Sequence, residues 1–139
     1  MINISTFQNQ ACETPHFYIL SIGNNSGRPG EKPNRNSFLF SCGSEEEKQQ
    51  YFQSVNMLFE MGYFKRFLKG SCQQFITLGD FKQIVFSLPK KGLESKTFNN
   101  TARAVQKIEE HLINLEQQIS LLKEYKIALF QKEFKSWKQ

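Results

Sequence analysis

The sequence is poor in the residues that usually betray chemistry. Two histidines and three cysteines occur in 139 residues, and no CxxC pair is among them. Cys12, Cys42 and Cys72 lie about thirty positions apart, which excludes a zinc-ligand spacing and suits reduced thiols in a cytoplasmic protein. Neither a GxxxxGK[ST] nor a GxGxxG segment is present. His16 and His111 have no serine, cysteine or carboxylate at motif spacing, and Asp80 and Glu94 do not make a nuclease-like carboxylate set. These gaps point away from an enzyme, and no cofactor or metal is expected. No apolar run approaches the eighteen or so residues of a membrane span. The N-terminal residues lack the basic and apolar regions of a signal peptide. No membrane partner and a cytoplasmic location are therefore expected.

Phenylalanine is abundant, with 14 residues, and the formal net charge is +5. Most of the rings sit in apolar runs such as Phe17-Tyr18-Ile19-Leu20 and Phe38-Leu39-Phe40, so they read as core rather than as nucleobase-stacking groups. Positive charge is concentrated. Residues 61–96 carry seven Lys or Arg against Asp80 and Glu94, and residues 122–139 carry five Lys against two Glu. Such a balance permits a nucleic-acid or acidic-protein partner without requiring one.

Local patterns give the elements. Residues 1–15 read as irregular. His16–Ile22 and Ser37–Cys42 read as strands, joined by GNNSGRPGEKPNRN (Gly23–Asn36), a loop long enough to be functional. Ser44-Glu45-Glu46-Glu47 is a capping box that opens a helix to about Met61, stopped by Gly62. Tyr63–Lys69 reads as a short helix. Phe75–Leu78 and Gln83–Leu88 read as strands, with Pro89 ending the sheet and Lys90–Thr97 linking onward. From Phe98 to Gln139 no Gly or Pro interrupts one long helix. Val105, Ile108, Leu112, Leu115, Ile119, Leu122 and Leu129 follow 3-4 spacing, with Lys126 breaking the stripe, as in a coiled-coil seam, the alternative being an amphipathic helix laid on its own domain. After Leu122 the apolar stripe moves round the helix, toward Tyr125, Ile127, Phe130, Phe134 and Trp137. The fold class expected is α+β. A small mixed or antiparallel sheet packs with two helices in residues 1–97, and a coiled-coil helix follows in 98–139.

Two segments are chemically suited to DNA. The Gly23–Asn36 loop offers Arg28, Lys32 and Arg35 among four asparagines. The stretch KRFLKGSCQQ offers Lys65, Arg66 and Lys69 for phosphates, and Gln73 and Gln74 for base edges. The plain alternative for both is a solvated, turn-rich surface.

The order of these parts carries a resemblance. FKRFLKGSCQQFITLGDFKQIVFSLP (Phe64–Pro89), followed by a long helix ending LLKEYKIALFQKEF (Leu121–Phe134), resembles the C-terminal part of a target-recognition domain with its spacer helix. Such domains belong to the specificity subunits of type I restriction–modification enzymes. The resemblance implies a non-catalytic, sequence-dependent binder of double-stranded DNA that docks a methyltransferase or restriction subunit. The chain holds one such unit where those subunits hold two. It lacks the Trp-Leu opening of the domain, and Lys90–Thr101 stands in place of the motif that usually follows Leu-Pro. Two functions are thus expected. One is a DNA-binding, specificity-subunit-like module that dimerises through its C-terminal helix. The alternative is a protein-interaction factor, an adaptor or inhibitor possibly encoded on a mobile element, that uses the same scaffold without DNA recognition.

Overall fold

The computed structural model describes residues 1–93 and 95–139, so Glu94 lies outside the described residues. The chain forms two compact units, Met1–Ser95 and Lys96–Gln139. The fold is α+β.

The sheet of the first unit is built on two aromatic strands. β2 (His16–Leu20) and β4 (Ser37–Ser41) pair antiparallel, with Phe17 opposite Phe40 and Ile19 opposite Phe38. Paired residues share a face, so these four apolar side chains form one surface. All four are buried. The Phe17 and Phe40 rings stack with centroids 4.5 Å apart. On the other face Tyr18 lies beside Leu39 in register, and the Phe7 ring meets Tyr18 edge-on at 5.1 Å. β1 (Asn3–Thr6) pairs with β4, and the two-residue β3 (Pro29–Gly30) pairs with β2, giving the all-antiparallel order β1-β4-β2-β3. The segment expected to be irregular therefore contributes an edge strand. Its single large buried residue is Ile4, opposite Phe40, and one apolar anchor among polar neighbours is too weak a pattern to read as a strand.

α1 (Glu45–Glu60) starts at a Ser44 cap, with the return bond of the capping box shifted one residue outward to Gly43. The Glu47 N–H donates to Ser44 Oγ at 3.1 Å, and Glu47 Oε2 accepts from the Gly43 N–H at 2.7 Å. Tyr51, Ser54, Val55 and Leu58 form its buried face, and its rings reach the sheet through Phe40–Tyr51 and Phe17–Phe52 contacts. Gly62, left-handed at φ 70°, ends the helix and leads into a 3-10 turn, Tyr63–Phe67.

The strand expected at Gln83–Leu88 is instead part of a helix, α2 (Leu78–Phe86), and of the strand expected at Phe75–Leu78 only Phe75 pairs, in single β-bridges to Ile22 and Lys69. Thr77 is its N-cap. The Asp80 N–H donates to Thr77 Oγ1 at 3.1 Å, and that hydroxyl donates to Asp80 Oδ2 at 2.6 Å. Phe81, Ile84 and Val85 are the buried residues, a helical spacing of three and four rather than an alternation. The polar link expected at Lys90–Thr97 contains a single turn, α3 (Lys90–Leu93), with Leu93 buried. The long helix, α4 (Lys96–Trp137), begins two residues before the expected position.

The 23–36 connection closes tightly where Gly27 sits at φ 95°, and a Cβ there would stand 2.4 Å from the Phe64 ring. Gly27→Ala is expected to destabilise the chain by about 2–4 kcal/mol, adding left-handed strain to a ring that cannot withdraw from the core. Gly30→Ala, with open space around its Cβ position, should stay within about 0.5 kcal/mol. Urea titration of both variants checks the contrast.

Candidate functional site

Backbone hydrogen bonds bring the two DNA-suited segments together. Beyond β2 the chain runs beside residues 74–76. The Gly23 N–H donates to the Gln74 carbonyl at 2.7 Å and the Ile76 N–H to the Ser21 carbonyl at 2.9 Å. Lys69 and Phe75 exchange a reciprocal pair of backbone bonds, at 2.8 and 2.9 Å, that closes Gly70–Gln74 into a tight loop. Gly70 is left-handed at φ 96°, and a Cβ on it would fall 2.2 Å from the Gln73 carbonyl oxygen, so only glycine fits that turn.

A cleft of about 660 Å³ lies between these segments. Phe59, Phe64 and Leu68 contribute its apolar lining, and the amides of Asn24, Asn25 and Gln74 and the charges of Glu60 and Lys65 contribute its polar lining. Carboxamides can donate and accept at once, and the two charges are of opposite sign. The cleft therefore suits a ligand read by hydrogen bonds more than one held by net charge.

The sequence-suggested cations are distributed unevenly around it. Arg28 and Lys65 are exposed, and Lys65 lines the cleft. The Arg66 guanidinium sits 4.7 Å from the centroid of the Tyr63 ring. Lys69 Nζ lies 2.9 Å from Asp80 Oδ2, so part of its charge is already answered. Arg35 precedes Asn36, whose carbonyl accepts from the Ser21 N–H at the same end of β2. Lys32 belongs elsewhere. Its neighbour Glu31 pairs with Lys48 Nζ at 3.2 Å near the start of α1, roughly 16 Å along that helix from Phe59 at 1.5 Å per residue. Burial opposes the charge on Lys48, but the hydrogen bond and charge of Glu31, then those of Glu45, hold its ammonium above the ordinary lysine range. Gln73 and Gln74 are both exposed, and only Gln74 lines the cleft. The amides of Asn24 and Asn25, absent from the site residues proposed from sequence, are the addition the structure makes. The turn chemistry of GNNSG was the available signal.

Cys12, His16 and Cys42 are placed as follows. Cys12 and His16 share a shallow pocket with Glu31 and Glu45, but His16 Nδ1 faces the Thr14 carbonyl at 2.7 Å and Nε2 faces the Tyr18 hydroxyl at 3.2 Å. Burial, reinforced by Glu47, pushes the Cys42 thiol up to about 12, which keeps it protonated and unreactive. Among the described residues no group of three or more His, Cys, Asp or Glu is placed to hold a metal ion, and no helix is long and apolar enough to cross a membrane.

The second candidate surface lies wholly on α4. None of its 42 residues is buried. Val105, Ile108, Leu112, Leu115, Ile119, Leu122 and Leu129 are all exposed, between 39% for Leu115 and 67% for Leu122. Tyr125, Ile127, Phe130, Phe134 and Trp137 are exposed as well.

Compared with known proteins, residues 4–132 match the model of one protein family, described as a family of unknown function (DUF6943). No curated protein and no solved structure matches the chain.

The Lys69–Asp80 pair yields a pH-dependent expectation. The Thr77 hydroxyl first, and Lys69 second, hold the Asp80 carboxyl below the ordinary aspartate range. Its contribution to stability is present above the unfolded-state value and is lost as pH falls through the lower folded value. In a carbon-13 NMR titration Asp80 should therefore titrate below an ordinary aspartate. Lys69→Ala should raise its midpoint only in part, because the Thr77 bond survives. An unchanged midpoint in Lys69→Ala would show that the ion pair is not formed in solution.

Proposed function

The chain belongs to this family of unknown function, and we propose that it acts as a non-enzymatic association module that dimerises through α4. The observation that carries this reading is the unburied apolar stripe of that helix. Six large aliphatic side chains recur at 3-4 spacing from Val105 to Leu122, and Leu129 follows beyond Lys126, on a 42-residue helix that buries none of them. Fully covering one such side chain is worth roughly 1.5–3 kcal/mol, and two copies of a heptad seam cover each other by placing each knob in a hole of the facing helix. The same module is our reading of the protein-interaction alternative, with a second copy as the first partner. Any further partner, such as a methyltransferase or restriction subunit, would be met by the dimer.

The meeting of the two polar segments favours a second activity of the same module, the binding of double-stranded DNA by the Met1–Ser95 unit. Arg28 and Lys65 would meet phosphates, with Arg66 beside them, and Asn24, Asn25 and Gln74 would meet base edges. Lys69 contributes less because Asp80 already answers it, and Lys32 stands apart. This DNA-binding role agrees with what the likeness to type I target-recognition domains implies.

Sedimentation equilibrium tests the first activity. The wild type should be a dimer, and Leu115→Asp with Leu122→Asp, which places unpaired charge in the seam, should be a monomer. A wild-type monomer at high micromolar concentration would remove the reading. Fluorescence anisotropy tests the second. Affinity for duplex DNA should fall steeply with salt, and Arg28→Ala, Lys65→Ala and Arg66→Ala together should flatten the slope by up to about three units, at about 0.9 per phosphate contact. Lys69→Ala alone should change it little. Gln74→Ala should leave the slope intact and narrow the gap between preferred and random sequence. No binding at tens of micromolar protein would leave association as the only activity.

A further inference from the structure

The apolar residues of α4 change face at one point. From Val105 to Leu122 they follow 3-4 spacing, and the next positions of that seam are Lys126, Leu129, Glu133 and Ser136, two of them charged. One residue further round stand Ile127, Phe130, Phe134 and Trp137, again at spacings of three, four and three. All four are exposed. At 3.6 residues per turn this second face is rotated by about 100° from the seam. A partner that covers the seam leaves it open.

Charge around the second face is sorted. Residues 123–138 hold five Lys and two Glu. Lys123 lies on the axis of the face, and Lys126 and Lys138 flank it at about 60° to either side. Glu133 and Glu124 stand further out, at about 80° and 100°. The rings touch one another and a cation. Phe134 and Trp137 meet edge-on at 6.2 Å, and Lys138 Nζ lies 4.7 Å from the centroid of the Phe134 ring. The Trp137 indole N–H donates to Glu133 Oε1 at 3.1 Å, so covering the ring strands no polar group.

The mixture of rings and ammonium groups selects the kind of surface that fits. Duplex DNA would answer the lysines and leave the rings in water. An apolar groove on a protein would cover the rings and bury Lys123 among them, which is unfavourable without a charged partner. A layer that is apolar beneath and anionic at its surface answers both, because a lysine stem lies along apolar groups while its ammonium stays at the surface. Among the described residues no helix is long and apolar enough to cross a membrane, but a helix lying in the interface needs no such length. We propose that the Lys123–Lys138 end of α4 binds the surface of an anionic phospholipid bilayer. Ile127, Phe130, Phe134 and Trp137 enter the headgroup boundary, and Lys123, Lys126 and Lys138 meet lipid phosphates. This revises the expectation of no membrane partner, which followed from span length and leader pattern.

Trp137 is the single tryptophan of the chain and belongs to the face itself, so its fluorescence reports the contact in full-length protein. With vesicles of phosphatidylcholine and phosphatidylglycerol at low salt, its emission should shift to the blue and become shielded from acrylamide. The protein should also sediment with those vesicles. Phosphatidylcholine alone should bind at least about tenfold more weakly, and added salt should narrow the difference. Phe130→Gln with Phe134→Gln should weaken binding at least about tenfold. Lys123→Gln, Lys126→Gln and Lys138→Gln together should remove most of the preference for anionic vesicles. Leu121→Gln, about 160° round the helix from the face, should change neither. Circular dichroism on the variants separates lost binding from lost helix. Absence of both the blue shift and co-sedimentation with anionic vesicles would overturn the proposal. So would binding indifferent to headgroup charge, or equal losses in the ring variant and Leu121→Gln. A blue shift produced by duplex DNA and not by vesicles would assign the face to nucleic acid instead.

Discussion

The pairing of Phe17 with Phe40 across β2 and β4 is the constraint on which the first unit depends. In an antiparallel ladder a one-residue slip moves every side chain to the opposite face. Here both strands carry large apolar residues at successive positions, so register cannot be chosen by hiding one face alone. The stacked rings of Phe17 and Phe40, with Ile19 opposite Phe38, choose it by shape. Once they are set, one face receives Tyr51 and Phe52 from α1 and Phe81 from α2. The Phe81 ring in turn meets Phe64 of the 3-10 turn. The phenylalanine rings thus tie the sheet to the helices in two sets, Phe17 and Phe40 with Tyr51 and Phe52, and Phe38 with Phe81 and Phe64.

The candidate cleft hangs from that core. Phe64, buried at the centre of the ring contacts, is also the group against which Gly27 closes and a lining residue of the cleft. Its position holds the asparagine loop and the 3-10 turn at a fixed separation. The backbone bonds from Gly23 to Gln74 and from Ile76 to Ser21 then bring the glutamine segment to the same place. The polar groups of the cleft are exposed, but the backbone that presents them is anchored on buried aromatic contacts, which is how a loop comes to carry specificity.

α4 follows a different physics. Its stability as a helix owes something to propensity and to local pairs such as Gln106 Nε2 with Glu110 Oε1 at 3.4 Å, but those are small terms. An amphipathic helix gains most from covering its apolar face, and this one buries no residue. The long apolar stripe is therefore the feature of the molecule that most requires a partner, and the proposed self-association answers it.

Much of this was legible in residues. The two aromatic strands, α1 with its capping box, the stop at Gly62 and the uninterrupted C-terminal helix follow from local chemistry, because capping, chain breaks and strong periodicity act within a few residues. α2 differs from the expected strands although its helical signals are present in the sequence. Thr77 and Asp80 stand at capping spacing, and Phe81, Ile84 and Val85 at helical spacing. A short apolar run of β-favouring residues is ambiguous until something decides which side it must bury, and here Phe38 and Phe64 decide it by receiving Phe81. β1 was invisible for a related reason, since Ile4 makes a strand only because Phe40 lies opposite. The cleft was legible in its parts and not in its assembly. The sequence by itself determined the residue types of both polar segments, the apolar stripe of α4 and its displacement after Leu122. Only the tertiary structure decided that Asn24, Lys65 and Gln74 share one cleft, that Lys69 is partly neutralised by Asp80 and that Lys32 stands apart. Those outcomes depend on hydrogen bonds and packing between residues dozens of positions apart, which no local pattern encodes.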